Sequence, residues 1–215
     1  GRVARPSTAL LPHPGVRTMY RHVTASLIVL ALVSTVISES LAQERLDLSS
    51  AIEINVHGGA AFLDALESNE LFGGATALLH VGSGVAFGGT VDWVGVTIDE
   101  DEDDDEEGVD AALWYYSAEL SYAFPSVTQA QFYGLIGAGV ARFQPGSELE
   151  DAGAEDESDI MVPVGVGVRW LHRKEDPSWG ATLELRDRII YADEEETKVS
   201  NDWSIALGLS LLLGG

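Results

Sequence analysis

The sequence predicts an all-β fold: an eight-stranded antiparallel up-and-down transmembrane β-barrel, preceded by a helical signal peptide. Three observations carry this. From residue 51 onward, large apolar residues recur at every second position, in segments of ten or so residues separated by polar breaks. The breaks alternate in kind, acidic after the first, third, fifth and seventh segments and short after the second, fourth and sixth. One segment, residues 112–124, places aromatics at both ends of its apolar face with smaller groups between. At about 2.6 Å of height per tilted residue, Trp114 and Phe124 stand ~26 Å apart, matching a ~25 Å apolar band with two aromatic girdles.

The leader comes first. With 215 residues, one domain is expected. The best apolar window, residues 23–37, falls short of the ~20 residues that a membrane-spanning helix needs. Arg17 and Arg21 precede it, and Ser40-Leu41-Ala42 follows with small residues at −3 and −1, so cleavage is expected after Ala42. Met19 is the natural start. Residues 1–18 then read as upstream sequence outside the fold, 19–42 as signal peptide and 43–215 as barrel. An uncleaved anchor is the competing reading, disfavoured by the short core. The leader takes Arg2, Arg5, Arg17, Arg21 and Glu39 from the 12 basic and 35 acidic residues, moving the net charge from −23 to about −26. Such a chain repels nucleic acid. Cysteine is absent, which excludes disulfides and Cys-based metal or redox sites.

Successive strand side chains point to opposite faces, so each segment assigns a lipid face and a lumen face. In the first, Ile52, Ile54, Val56, Ala60 and Phe62 face out, and Glu53, Asn55 and His57 face in. The second, residues 72–81, leaves its phase open; Gly82-Ser83-Gly84 then makes a tight turn. The third, residues 85–98, turns Val85, Phe87, Val91 and Trp93 outward and Thr90 and Asp92 inward, with a phase shift near Val94 that a bulge would explain. In the fourth, Trp114, Tyr116, Ala118, Leu120, Tyr122 and Phe124 oppose Tyr115, Ser117, Glu119 and Ser121. Glycines blur the fifth, residues 128–143. The sixth alternates Ile160, Val162, Val164, Val166, Val168 and Trp170 with Met161, Pro163, Gly165, Gly167 and Arg169. The seventh sets Trp179, Ala181, Leu183 and Leu185 against Thr182, Glu184, Arg186 and Arg188; Asp187 falls on the lipid face, a misfit tolerable only near the outer interface. The last, residues 202–213, carries Trp203, Ile205, Leu207, Leu209, Leu211 and Leu213 on one face and pairs back on the first near residues 52–56. Trp114, Tyr116, Tyr122, Phe124, Trp170, Trp179 and Trp203 make the lipid-facing girdles.

Over residues 46–213 this pattern resembles the small eight-stranded outer-membrane barrels of the OmpA/OmpX type. The final strand is similar to the signal read by the barrel-assembly machinery, an inward glycine followed by alternating hydrophobics, here Gly208, Leu209, Leu211 and Leu213. It departs from that signal in ending on Leu213 where Phe is usual, and in the extra Gly214-Gly215. The resemblance implies a bacterial outer-membrane location, contact with outer-membrane lipid and with the assembly machinery during insertion, and a role in envelope integrity, adhesion or transport. It gives no oligomeric state.

Candidate chemistry is sparse. The acidic run over residues 99–107 offers hard oxygen ligands, with Asp99, Asp101, Asp103 and Asp105 as a weak, diffuse site for Ca²⁺ or Mg²⁺. It lacks the glycine and the twelfth-position Glu of an EF-hand, and a solvated surface loop is the competing reading. No other cofactor is expected. Inside the barrel, Glu53, Asp92, Glu119 and Glu184 face Arg169, Arg186 and Arg188. Charges in so dry a space should pair. They form either a constriction that gates protons or small ions or, as favoured for so narrow a barrel, a salt-bridge ladder that plugs it. After the leader only His57, His80 and His172 remain, widely spaced, so a His-rich metal site is not expected. His80 near Ser83, or His57 with Glu53, gives at most a weak hydrolase argument, and no catalytic residue is assigned. A soluble lipocalin-type barrel, with an apolar cup and a polar exterior, is the rival architecture.

Overall fold

The structure, a computed structural model, describes residues 50–64, 66, 68–82, 84–98, 109–126, 128–147, 149, 153–154, 156–172, 178–192 and 198–214. The expected upstream sequence, the signal peptide with its cleavage point and the acidic run over 99–107 lie outside the described residues. The strands are β1 (Ile52–Leu63), β2 (Ser68–His80), β3 (Val85–Ile98), β4 (Val109–Ala123), β5 (Ala130–Pro145), β6 (Glu157–Leu171), β7 (Trp179–Ala192) and β8 (Lys198–Leu213). Each pairs antiparallel with its sequence neighbours in a closed barrel. β8 returns to β1 over its length, from Ile52 opposite Leu213 to Phe62 opposite Trp203. Closure satisfies every ladder internally, which a lipid environment demands of a sheet. At the tight β2–β3 turn, Gly82 and Gly84 hold φ of 93° and 88°, the left-handed region that glycine enters without steric cost.

The faces are inverted relative to a soluble barrel. Exposed large side chains include Phe87, Leu120, Ile136, Leu183, Leu207 and Leu209, while Glu53, Asp92, Arg186 and Arg188 are buried. An apolar exterior around a polar interior is the transmembrane arrangement and the reverse of a lipocalin cup.

Three local expectations are corrected. β2 starts at Ser68, four residues before the expected strand, and its phase turns Phe72, Leu78 and His80 inward and Leu71 and Leu79 outward. β3 has no bulge: its register against β4 runs without a slip from Val85 opposite Tyr122 to Ile98 opposite Val109. Val94 and Val96 keep the inward phase, fully covered at 0% and 3% exposure, because that stretch of the lumen is apolar. Asp187 keeps its outward phase on β7, across the ladder from Val164 and Trp203, yet is buried at 8% exposure. Pro163 cannot donate to a ladder, and the β5–β6 register accordingly passes from Ile136–Val164 to Gly139–Met161 without pairs between.

The core is the lumen, in layers. On the loop side, Leu63, Phe72, Val94, Val96, Tyr115, Met161 and Ile190 belong to one apolar cluster. On the turn side, Ala51, Leu171 and Leu212 form a second, and Ala123, Tyr133 and Leu135 a third. Polar and charged side chains fill the space between.

Candidate functional site: the charged lumen

The charged layer is built from alternate inward positions, and the barrel's register decides which of them meet. Near the turn side, Arg169 on β6 reaches Glu53 on β1, Nη2 to Oε2 at 2.7 Å. The same oxygen lies 2.9 Å from His80 Nε2, and Glu53 Oε1 accepts from Ser210 Oγ at 2.7 Å. At mid-height Arg186 on β7 holds Glu119 on β4 with both terminal nitrogens, at 2.7 and 3.2 Å. It also donates through Nε to Glu184 at 2.8 Å, and its Nη1 stands 3.7 Å from Asp92. Toward the loop side, Arg188 donates to Asp92 and, at 2.9 Å, to Ser204 Oγ. The bidentate guanidinium–carboxylate geometry fixes orientation as well as charge.

Aromatic faces cover the guanidinium groups. Arg188 lies over Tyr115 at 4.6 Å and over Phe72 at 5.6 Å, and Arg169 over Tyr133 at 5.3 Å. The phenols are used in turn: Tyr115 donates to Asp202 at 2.7 Å and Tyr133 to Glu184 at 2.8 Å. Inward glycines make room. A Cβ at Gly74 would lie 2.1 Å from Asp92 Oδ1 and 2.7 Å from His57 Nε2, and one at Gly167 would meet the Tyr133 ring at 2.5 Å. A pocket lined by Glu53, Glu119, Arg169, Glu184 and Arg186 among others holds about 30 Å³. That is room for about two waters at ~10–15 Å³ each.

The seven charged positions read from the sequence, Glu53, Asp92, Glu119, Arg169, Glu184, Arg186 and Arg188, thus meet in one lumen. Alternation alone gives these charges no specific partners, and His57, His80, Tyr115, Tyr133 and Asp202 join them through contacts that only the register brings about. His57 and Tyr115 were legible as inward, whereas His80 waited on the phase of β2. His57 does not pair with Glu53; its ring bridges Asn55 Oδ1 at 3.0 Å and Asp92 Oδ1 at 2.7 Å. Ser83, suggested beside His80, lies outside the described residues, as do Asp99, Asp101, Asp103 and Asp105. Among the described residues, no three acidic or histidine side chains form a group that could hold a metal ion.

On the exterior, Trp114 stacks on Tyr116 at 6.1 Å, Tyr122 meets Phe124 edge-on at 5.3 Å, and Trp170 meets Trp179 edge-on at 6.5 Å. Trp203 stands across the β1–β8 seam from Phe62. Trp93, opposite Trp114, and the exposed Phe132 and Tyr191 also face outward, though they were not among the girdle residues read from the sequence.

No protein-family model matches the sequence, and no curated protein does. Solved structures do. Neisserial surface protein A is similar at TM-score 0.53 and 14% identity, covering 75% of this chain and 95% of that one. The N-terminal β-barrel domain of Pseudomonas aeruginosa OprF gives 0.51 and 15%, over 77% and 98%. The outer membrane protein OprG from the same organism gives 0.50 and 12%, over 78% and 98%. At these identities the likeness is one of fold.

Proposed function

We propose that this chain is a bacterial outer-membrane β-barrel that serves envelope integrity or surface interaction, with its lumen sealed by side chains rather than open as a pore. The observation that carries the reading is the layered lumen, where paired guanidinium and carboxylate groups lie between apolar clusters. An eight-stranded barrel is just wide enough for side chains to fill it. Outer-membrane location draws support from the apolar exterior and from the likeness to outer-membrane barrels. Insertion by the assembly machinery, guided by the last strand, and signal removal after Ala42 belong to the same proposal. The proposed role is not an enzymatic one.

Two experiments test this. In fractionated cells the protein is expected in the outer membrane, with a gel band that shifts between unheated and heated samples; a soluble, detergent-free monomer overturns the reading. In planar bilayers the protein is expected to give no discrete conductance, and neither is Glu119→Gln. One observation favours a second reading, a gated ion path: Arg186 is shared among Glu119, Glu184 and Asp92, so it has alternative partners. Discrete wild-type channels whose conductance changes in Glu119→Gln would replace the sealed reading with the gated one.

A further inference from the structure

The direction of hydrogen bonds along one lumenal chain fixes a charge that no single contact reveals. The chain starts at Glu53, whose carboxylate takes the Arg169 guanidinium and acts only as an acceptor. Ser210 Oγ, 2.7 Å from Glu53 Oε1, therefore spends its one hydroxyl proton there. Ser210 Oγ is then the acceptor for Asn55, 2.8 Å away, and this orients the Asn55 amide. Its Nδ2 faces Ser210 and also Thr182 Oγ1 at 3.0 Å, so its Oδ1 faces His57 Nδ1 at 3.0 Å. An amide oxygen only accepts. The second ring nitrogen, Nε2, lies 2.7 Å from Asp92 Oδ1, part of a carboxylate whose other oxygen receives Arg188. Both nitrogens of His57 thus face acceptors.

We infer that His57 carries protons on both ring nitrogens and stands as a further cation of the lumen, beside Arg169, Arg186 and Arg188 and opposite Glu53, Asp92, Glu119 and Glu184. The surroundings leave the ring little alternative. From β2 come Gly74, where even a Cβ would crowd Nε2, and the Phe72 ring with centroids 6.0 Å apart. From β8 comes Gly208, opposite His57 in the ladder. β3 supplies Asp92; β7 supplies Arg186 and Arg188, both directed at Asp92, and Glu184; β4 supplies Glu119, held by Arg186. On β1 itself Glu53 is occupied by Arg169 and by His80 of β2. Above them Asp202 of β8 accepts from Tyr115 of β4. Deprotonation would set a ring lone pair against an oxygen lone pair at Asn55 or Asp92, in a space with little water to relieve it.

The double protonation follows from hydrogen-bond geometry and does not rest on the sealed-lumen reading. In the barrel refolded in detergent micelles with nitrogen-labelled histidine, His57 is expected to show a bonded proton on both ring nitrogens at neutral pH. A bare Nδ1 or Nε2 overturns the assignment. His57→Gln identifies the resonances, and if that variant does not fold, His80→Gln and His172→Gln identify them by elimination. Conductance separates the two ideas, because a barrel that conducts while His57 remains doubly protonated sinks the sealed reading and supports the assignment.

Discussion

Arg186 serves three carboxylates at once, Glu119, Glu184 and Asp92, and it is 4% exposed. Removing one partner of a buried pair leaves the other charged and unsolvated, which costs far more than the pair contributes when intact. Arg186→Met is therefore expected to lower the unfolding free energy by about 3–5 kcal/mol, measured by denaturant titration in lipid vesicles. Adding Glu119→Gln to it should recover part of that loss, and a strictly additive double variant would refute the coupling. The glycines make a paired test. Gly74 faces the lumen with Asp92 and His57 against it, whereas a Cβ at neighbouring Gly73 would have only the His57 carbonyl oxygen near it, at 3.9 Å. Gly74→Val is expected to destabilise the barrel by roughly 1–3 kcal/mol or more through overpacking, and Gly73→Val by much less. Equal effects in the same unfolding assay would count against the glycine-seat argument.

Among the elements, β8 and β3 teach opposite lessons. On β8 the row Ile205, Leu207, Leu209, Leu211 and Leu213 is exposed, and the intervening Ser204, Ala206, Ser210 and Leu212 are buried. Local alternation was enough to read that strand. Leu209, midway along the row and 65% exposed, meets lipid in the proposed setting. Leu209→Arg is expected to cost about 2–4 kcal/mol by vesicle unfolding, and a neutral result would argue against membrane burial of this face. On β3 the consecutive Trp93, Val94, Gly95 and Val96 read as a slip in phase, because Val94 and Val96 are as apolar as a lipid-facing row. They are inward residues of an apolar lumen layer that also contains Leu63, Phe72 and Met161. A period-two pattern states which residues share a face but not which face is which once both are apolar.

For the whole molecule, closure is the organising constraint. β1 and β8 pair at the seam, and the turn-side end of that seam is Ile52 and Ile54 opposite Leu213 and Leu211. Removing residues 211–215 leaves β1 an unpaired edge there, which lipid does not tolerate. The truncated chain is expected to lose the heat-modifiable folded band altogether; a normally folded band would show that closure does not depend on the terminal residues. Loops of both kinds follow from the same closure, since antiparallel neighbours with eight strands put every odd connection on one rim and every even one on the other.

The sequence by itself determined the strand number, the up-and-down order, the inverted polarity of the two faces and the inward position of seven charged side chains. All of these are local properties: alternation, turn residues and gap lengths are written in contiguous residues. Only the tertiary structure decided the phase of β2, the inward turn of Val94, the burial of Asp187 and the pairing of each arginine. Those depend on register, which slides each strand past its neighbour by an amount set by the whole closed ladder. Glu53 meets Arg169 and His80, and His57 meets Asp92, because the stagger of eight strands brings them to one height. Charge alternation along a strand says that a partner is needed; barrel geometry says which one it is.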